Sequence, residues 1–404
     1  MNREAPTGGY QRGMRPAVRL SSLLLTVLAV FCLQSEGNAE RSRPTVVITV
    51  DVESTDQNGS PLPLPDQIEA VCLGSIPCGM QEMVRILRAK GCGATFFLNV
   101  FEYTEHGEAF LGKTGRWLRD SGQDVELHTH PQWRFDRNRG MMYQYTLEEQ
   151  REIIREGKEL LERWTGAPVV AHRAGTYSAD ENTLKALVAN GILIDSSLFY
   201  GQPGSKLNAL DLKKGVLSLY GPLCEFPVTV YRKSEYSSLM GAFLGPQSSI
   251  RKYDINWFGS EEEAEKAVQE AVQAKMDFII LFLHSYSFIK GGGGTGGLIA
   301  DRDAMKRFER ILDSILRQGM EVRTFRQIAD RRSDLAHYLN RRDVVPEISL
   351  QIPFLHYLRK AAGIHRDNYK GIILSCGLGV SLAALLAVVR WRVSRGERAS
   401  RKRR

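Results

Sequence analysis

Short apolar segments rich in β-branched residues alternate with amphipathic segments along this chain, and this alternation constrains the fold more than any other feature. The segment at residues 45–51 (TVVITVD) has the composition of a strand buried on both faces. Similar segments lie at residues 94–100, 124–128, 169–173, 192–196, 277–284 and 321–324. Helical periodicity separates them, and capping-box patterns that begin at Thr146 and at Ser178 predict two helix starts.

About seven strand–helix repeats therefore run in one direction through a predicted domain at residues 40–340. Strands joined through helices pair in parallel, so the predicted fold class is α/β. This number of repeats favours a deformed (β/α)7-type barrel over a flat sheet.

Basic residues are concentrated at the two ends of the chain. The 404 residues carry a formal net charge of +8. Residues 390–404 contain eight basic side chains and one acid, and residues 1–19 contain four basic side chains and one acid, which leaves the remainder at −2. A body that binds nucleic acid should present a basic face, so nucleic acid is not expected as a partner.

The N-terminus has the pattern of a secretory signal peptide. Three arginines precede an apolar run at residues 20–33, and Gly37 and Ala39 provide the small residues of a cleavage site. We predict a signal peptide at residues 1–39. An uncleaved N-terminal anchor is the alternative.

An uncharged segment near the C-terminus predicts a transmembrane helix. Residues 371–389 would span roughly 28 Å as a helix, close to the thickness of the hydrocarbon core. The basic tail at residues 390–404 is expected to be cytoplasmic, with the body extracytoplasmic at the cell (inner) membrane in a single-pass arrangement. Residues 341–370 are predicted to be a linker or juxtamembrane segment. A buried core helix is the alternative for residues 371–389.

Polar residues stand at the carboxyl ends of several predicted strands, where reactive groups gather in parallel α/β folds. They are Asp51, Glu53, His128, His130, Arg173 and His284. Two imidazoles and a carboxylate suit a divalent ion such as Zn, Co or Mn and leave positions open for water and substrate. The pattern predicts metal-assisted hydrolysis of an amide or ester.

These residues, in this order, resemble the motifs of the polysaccharide deacetylases, the NodB-like carbohydrate esterases. The resemblance runs from Thr45 to about Ala329 and includes the segments ITVDVE, ELHTHP, HRAGTY and LFLHS at residues 48–53, 126–131, 172–177 and 281–285. Val52 stands where the family usually has a ligand Asp, and Gln132 stands where it usually has its second His. The chain resembles a subset of the family with Asp-Val-Glu and His-x-His-Pro motifs.

The resemblance implies a hydrolase of carbon–nitrogen bonds that removes N-acetyl or O-acetyl groups from an extracytoplasmic polysaccharide or glycan precursor. It implies that Glu53, His128 and His130 hold the metal, and it leaves open whether Asp51 or Glu53 is the acidic ligand. By the same resemblance, Asp51 acts as base with Arg173 holding it, and His284 acts as acid. Tyr177 and Phe282 are expected to contact substrate, with plain core packing as the alternative for Phe282. Trp133, which follows the histidine motif, is expected either to stack on a sugar ring as a substrate-binding residue or to be packed.

Two other functions remain compatible with the sequence. A metal amidohydrolase also carries a His-x-His pair, although that pair is expected on the first strand with a later metal-bridging Lys. A non-catalytic glycan-binding relative with a degenerate metal site is the other alternative, and metal content would distinguish it.

Four cysteines lie in the predicted domain, which allows three pairings. Cys72 and Cys78 flank a short loop and are the favoured pair. Cys92 and Cys224 adjoin apolar segments, so buried free thiols are equally compatible with the pattern.

Overall fold

The structure is a computed structural model that describes residues 43–57, 60–236, 247–290, 297–339 and 341–352. These residues lie in a compact unit that begins at Arg43. The predicted signal peptide, transmembrane helix and basic tail fall outside the described residues, as does most of the predicted linker. Within the described ranges, no helix combines the length and apolar character needed to cross a membrane.

The strands and helices follow one another along the whole described chain. The strands are β1 (Thr45–Val52), β2 (Thr55–Gln57), β3 (Ser60–Leu62), β4 (Val71–Cys72), β5 (Ile76–Pro77), β6 (Thr95–Asn99), β7 (Asp124–Thr129), β8 (Ala171–Ala174), β9 (Ile194–Asp195), β10 (Ser218–Tyr220), β11 (Leu223–Glu225), β12 (Val230–Tyr236), β13 (Gln247–Lys252), β14 (Phe278–His284) and β15 (Glu347–Gln351). The helices are α1 (Pro65–Ile68), α2 (Met80–Ala89), α3 (Tyr103–His106), α4 (Glu108–Asp120), α5 (Leu147–Thr165), α6 (Glu181–Ala189), α7 (Glu261–Gln273), α8 (Arg302–Arg317) and α9 (Phe325–Asp330).

Eight strands form the main sheet in the order β10-β11-β9-β8-β7-β6-β1-β14. Every neighbouring pair is parallel except β10 and β11. The prediction of an α/β fold is confirmed, in the form of a parallel-rich sheet that curls into a half-barrel with helices packed against it. The predicted strand at residues 321–324 is reduced to an isolated bridge between Val46 and Val322.

Helix capping follows the sequence at one predicted start and departs from it at the other. The hydroxyl of Thr146 accepts a hydrogen bond from the Glu149 backbone N–H and caps α5. The prediction that Ser178 caps the next helix is wrong, because Asp180 is the N-cap of α6. The Ser178 hydroxyl instead donates to the carbonyl oxygen of Gly175 at 2.8 Å.

The two faces of the main sheet bury different residues because successive side chains of a strand point to opposite sides. In β1, Val46, Ile48 and Val50 pack into the large core beneath the helices. Val47 packs on the other face, in a second cluster with Phe97 of β6. Asp51 is four positions after Val47 in the same strand, so its side chain lies on this second face, at the carboxyl end of β1.

Helix α9 covers the amino ends of the strands on this second face. Phe325 packs into the second cluster. The Arg326 guanidinium lies 3.2 Å from Asp124 and 2.6 Å from Glu126, both on β7. Helix α9 and its ion pairs thus cover the amino ends of these strands. The polar residues that form the site lie at the carboxyl ends.

A second sheet, in the order β13-β12-β15, lies beside the last strand of the main sheet. The backbone N–H of Phe282 donates to the carbonyl of Tyr253 at 2.8 Å, and the N–H of Ile255 donates to the carbonyl of Phe282 at 3.3 Å. These bonds bring Lys252, the last residue of β13, next to the carboxyl half of β14.

The cysteines follow the favoured pairing. Cys72 and Cys78 form a disulfide between β4 and the start of the segment that leads into α2. Cys92 and Cys224 are buried free thiols. Burial raises the pKa of both thiols, which keeps them protonated and unreactive.

Candidate metal centre and active site

The parallel register brings the predicted site residues together from four strands of the main sheet, β8, β7, β1 and β14. Asp51 at the end of β1 is in register with His284 at the end of β14. His128 on β7 is in register with Arg173 on β8. Since β1 and β7 are separated only by β6, these four side chains lie on one face at one end of the sheet.

Glu53, His128 and His130 form a group that could hold a metal ion, with one ligand atom from each within 4.8 Å of the others. Oε2 of Glu53 lies 2.6 Å from Nε2 of His130 and 3.3 Å from Nε2 of His128. The side chains of both histidines are at least 89% buried. Asp51 is not part of this group, and its nearer oxygen lies 3.9 Å from Nε2 of His128.

A hydrogen bond at Nδ1 of His128 leaves Nε2 of the ring available to a metal. Nδ1 of His128 lies 2.9 Å from the carbonyl oxygen of Arg173. A carbonyl only accepts, so Nδ1 carries the proton and Nε2 of the neutral ring keeps a lone pair directed at Glu53. A metal-binding histidine is commonly fixed in this way.

Gln132 supplies the corresponding contact for His130. The amide nitrogen of its side chain lies 3.4 Å from Nδ1 of His130. Among the described residues, Oε1 of Gln132 and Nε2 of His130 are both buried without a hydrogen-bond partner, although Nε2 is close to Glu53. A flip of the Gln132 amide would bring its oxygen to Nδ1, where it accepts the ring proton, and Nε2 then keeps its lone pair for a cation. The residues therefore fit a divalent metal, with Gln132 orienting a ligand.

The charges within the group favour a bound cation. Burial acts to raise the pKa of Glu53, but the charges and hydrogen bonds of His130 and His128 outweigh it and hold that pKa well below its usual range. Burial acts to lower the pKa of His128, and the carboxylates of Asp51 and Glu53 raise it above its usual value. Glu53 is thus an anion, and its negative charge favours a bound cation.

Asp51 is held by Arg173 rather than by the metal group. Nη1 of Arg173 donates to Oδ1 of Asp51 at 2.7 Å. The guanidinium is fully buried and also donates to the carbonyl and the hydroxyl of Ser196, each at 3.0 Å. Its carbon lies 4.4 Å from the centroid of the Phe97 ring, a cation–π contact. One oxygen of Asp51 is therefore fixed, and the other faces His128.

His284 lies on the other side of Glu53. Its Nε2 is 3.8 Å from Oε1 of Glu53 and its side chain is 22% exposed, so the ring is accessible to solvent. The ring stacks on Tyr286 at 4.6 Å and meets the edge of Phe282 at 4.7 Å. Burial, followed by the charge of Lys252, lowers the pKa of His284.

Of the three predicted substrate-binding residues, the structure brings two to the site. Phe282 touches His284, and Tyr177 packs against Phe282 with ring centroids 6.1 Å apart. Trp133 packs against the main core and lies under the guanidinium of Arg137 at 5.8 Å. Its backbone N–H donates to the carbonyl oxygen of His130 at 3.3 Å.

Asn99 and Glu102 belong to the site although sequence reasoning did not find them. Oδ1 of Asn99 accepts from the backbone N–H of His130 at 3.3 Å, and its amide donates to Glu102 at 2.9 Å. Glu102 is fully buried and accepts from the backbone N–H and the hydroxyl of Ser54, next to Glu53. This bridge links two ligand-bearing segments. Asn99 could have been found as a polar residue that ends an apolar strand, whereas Glu102 lies beyond the strand.

Gly175→Ala should weaken metal binding by about 10- to 100-fold, the usual effect of disturbing the support of a ligand. A Cβ at this position would fall on the ring of His130 closer than real Cβ contacts allow. Isothermal titration with Zn²⁺ measures the change. Gly204→Ala is the matched control, because its nearest contact is the Thr176 carbonyl at an ordinary 3.8 Å. Equal affinities in the two variants would contradict the placement of His130.

Glu102→Gln should lower metal affinity about tenfold and destabilise the fold by about 1–3 kcal/mol. The carboxylate accepts from Ser54 and Asn99, and an amide nitrogen would face one of these donors. Metal titration and thermal unfolding check the two effects. Glu105→Gln is the control, since Glu105 is 39% exposed and pairs only with Arg137 in the described contacts. Wild-type metal affinity in Glu102→Gln would show that the bridge does not position the ligands.

Residues 39–194 match the family model described as polysaccharide deacetylase. The matched range includes the metal group, Asp51 and Arg173, and it ends before His284. None of the curated protein sequences matches the chain.

Several solved structures are similar to this chain. One is a protein from Mycobacterium smegmatis that is named as a polysaccharide deacetylase. It is 17% identical to this chain, the match covers 77% of this chain and 96% of that chain, and the TM-score is 0.48. Puue allantoinase is 13% identical, with 74% and 93% covered and a TM-score of 0.46. A CE4 family pseudoenzyme from Bacillus anthracis is 10% identical, with 71% and 66% covered and a TM-score of 0.38.

Proposed function

We propose that this chain removes acetyl groups from a polysaccharide or glycan precursor in a metal-dependent reaction, in keeping with the match of residues 39–194 to the polysaccharide deacetylases, a family of hydrolases. One observation carries the proposal: a Glu-His-His group that fits a divalent ion lies between an Arg-held carboxylate and an accessible histidine. This arrangement brings a metal site, a base and an acid close together, which is what hydrolysis of an unactivated amide requires.

Glu53, His128 and His130 would hold the metal, and Zn, Co or Mn suits their donor atoms. When bound, the ion supplies Lewis acidity toward the acyl oxygen and makes water easier to deprotonate. Asp51 is the better base, because Arg173 fixes one of its oxygens and the other is directed toward the metal group. Glu53, in contact with both imidazoles, is the acidic ligand.

His284 would donate the proton to the departing group. Its ring is held between Phe282 and Tyr286 and is partly open to the cleft. Because burial lowers its pKa, the protonated ring gives up its proton readily to an amine or alkoxide that is leaving. Tyr177, which packs against the buried ring of Phe282, would lie beside the acetyl group.

Acetate release from purified full-length protein tests the substrate class. Chitin oligosaccharides report on N-acetyl groups, and acetylated xylan reports on O-acetyl groups. We expect release from the N-acetylated substrate, with loss of release in His284→Ala. The absence of release from either substrate, or full activity in His284→Ala, would contradict the proposed reaction.

We also propose that the catalytic domain is extracytoplasmic and is anchored in the cell (inner) membrane by a helix at residues 371–389. The signal-like N-terminus and the basic tail support this topology. The Cys72–Cys78 disulfide agrees with an oxidising compartment. In spheroplasts, external protease should digest the catalytic domain and spare an epitope at the C-terminus. Protection of the domain would contradict the topology.

A further inference from the structure

Lys252, the last residue of β13, places a buried ammonium group beside the site. Its side chain is 3% exposed. Nζ lies 2.9 Å from the hydroxyl of Tyr177 and 3.1 Å from Oδ2 of Asp254. Burying an ammonium group is unfavourable unless it is paired and hydrogen-bonded, and both conditions are met here.

Aromatic rings complete the surroundings of this ammonium group. Nζ of Lys252 lies 3.2 Å from the centroid of Phe282, 5.3 Å from Trp257 and 5.8 Å from Phe199. Ring faces attract a cation most strongly where water is excluded. The Lys252 ammonium is therefore fixed in position by contacts on several sides.

Two of the groups around Lys252, Phe282 and Tyr177, are connected to the residues that carry the proposed reaction. Phe282 touches His284 and its backbone is hydrogen-bonded to Tyr253, next to Lys252. Tyr177 follows Arg173 on the chain and has the left-handed backbone angle φ 58°, as does Thr176 with φ 52°. Such angles are strained for non-glycine residues and are found preferentially at functional sites.

The bond between Lys252 and Tyr177 sets the direction of the phenol proton. An ammonium group only donates, so the Tyr177 oxygen must be the acceptor. The O–H of Tyr177 is then left to donate to a different acceptor. Burial, and after it the charge of Asp51, raises the pKa of Tyr177 well above its ordinary value, so the phenol keeps this proton.

We propose that Lys252 is a positioning residue that orients the Tyr177 O–H toward the carbonyl or carboxylate oxygen of the acyl group in the site. The identification of that group as acetyl rests on the proposed function. The arrangement makes Tyr177 a fixed donor toward an oxygen that gains negative charge during acyl transfer. This role also explains why Lys252 contacts the hydroxyl of Tyr177 in addition to the carboxylate of Asp254.

A second buried lysine provides a comparison. Lys233 on β12 pairs with the carboxylates of Glu263 at 2.6 Å and Glu235 at 3.2 Å. These partners belong to the second sheet and to α7, and they lie outside the residues described for the site. Lys233→Met therefore removes a buried ammonium of the same kind without touching Tyr177.

Equilibrium binding of acetate to the metal-loaded full-length protein tests the proposal without requiring turnover. Tyr177→Phe and Lys252→Met should each weaken acetate binding about tenfold, and the double variant should be no weaker than either single variant. Lys233→Met should bind acetate as the wild type does. If Lys252→Met is too unstable to measure, Lys252→Met combined with Asp254→Asn removes both charges and should give the same loss.

Multiplicative losses in the double variant would overturn the proposal, as would wild-type acetate affinity in Lys252→Met or the absence of acetate binding in the wild type. Failure of the proposed function has a different signature. In that case acetate binds with the expected pattern of losses, but no acetylated glycan releases acetate.

Discussion

Asp51→Asn should reduce kcat for acetate release by about 10²- to 10⁴-fold and leave the bound metal in place. This is the range that a general base contributes, and an amide cannot accept the proton. The substitution keeps the size of the side chain and an oxygen for the Arg173 guanidinium, which lies 2.7 Å away. Acetate release and elemental analysis of the same preparation measure the two quantities.

Asp120→Asn is the control for this prediction. Asp120 ends α4, its side chain is 63% exposed, and it pairs with Arg119 at the surface. It should release acetate at the wild-type rate. If Asp51→Asn loses its metal instead of only its activity, Asp51 is a ligand and the division of roles between Asp51 and Glu53 is wrong.

Glu53→Ala should lower metal affinity by at least about 100-fold, more than is typical when only the support of a ligand is disturbed. The carboxylate is the acidic member of the group, and its removal leaves two histidines without a negative charge to offset a divalent ion. Acetate release should fall with the metal. Titration with Zn²⁺ measures the affinity.

The matched control is Glu69→Ala, which removes an exposed carboxylate at the end of α1. It should bind metal with wild-type affinity. A Glu53→Ala protein that retains full metal affinity would show that the ion is held elsewhere, and the proposed centre would then be wrong.

The site could be predicted from the sequence where strand geometry alone determines position. Asp51, His128, Arg173 and His284 each end an apolar strand pattern, and parallel pairing with alternating side chains places them on one face. The sequence left open whether Asp51 or Glu53 is the metal ligand. The structure places Glu53 in the metal group and Asp51 with Arg173, which depends on the loop after β1 rather than on the strand.

Other parts of the site depend on long-range packing that no local pattern reports. Lys252 reaches the site because the second sheet hydrogen-bonds to β14, and its own segment showed no clear periodicity. Gln132 was identified only as a departure from the family motif, whereas in the structure it lies against Nδ1 of His130. Trp133 was expected either to stack on a sugar ring or to be packed, and in the structure the partly buried indole packs against the core.

The most direct test of the central claim is a titration of metal into chelated full-length protein, with bound metal and acetate release followed together. We predict that release is absent without metal, rises in proportion to the bound ion and saturates at about one equivalent per chain, as expected for a single Glu-His-His centre. Activity that persists without metal, or full metal occupancy without acetate release from any acetylated glycan, would contradict the account.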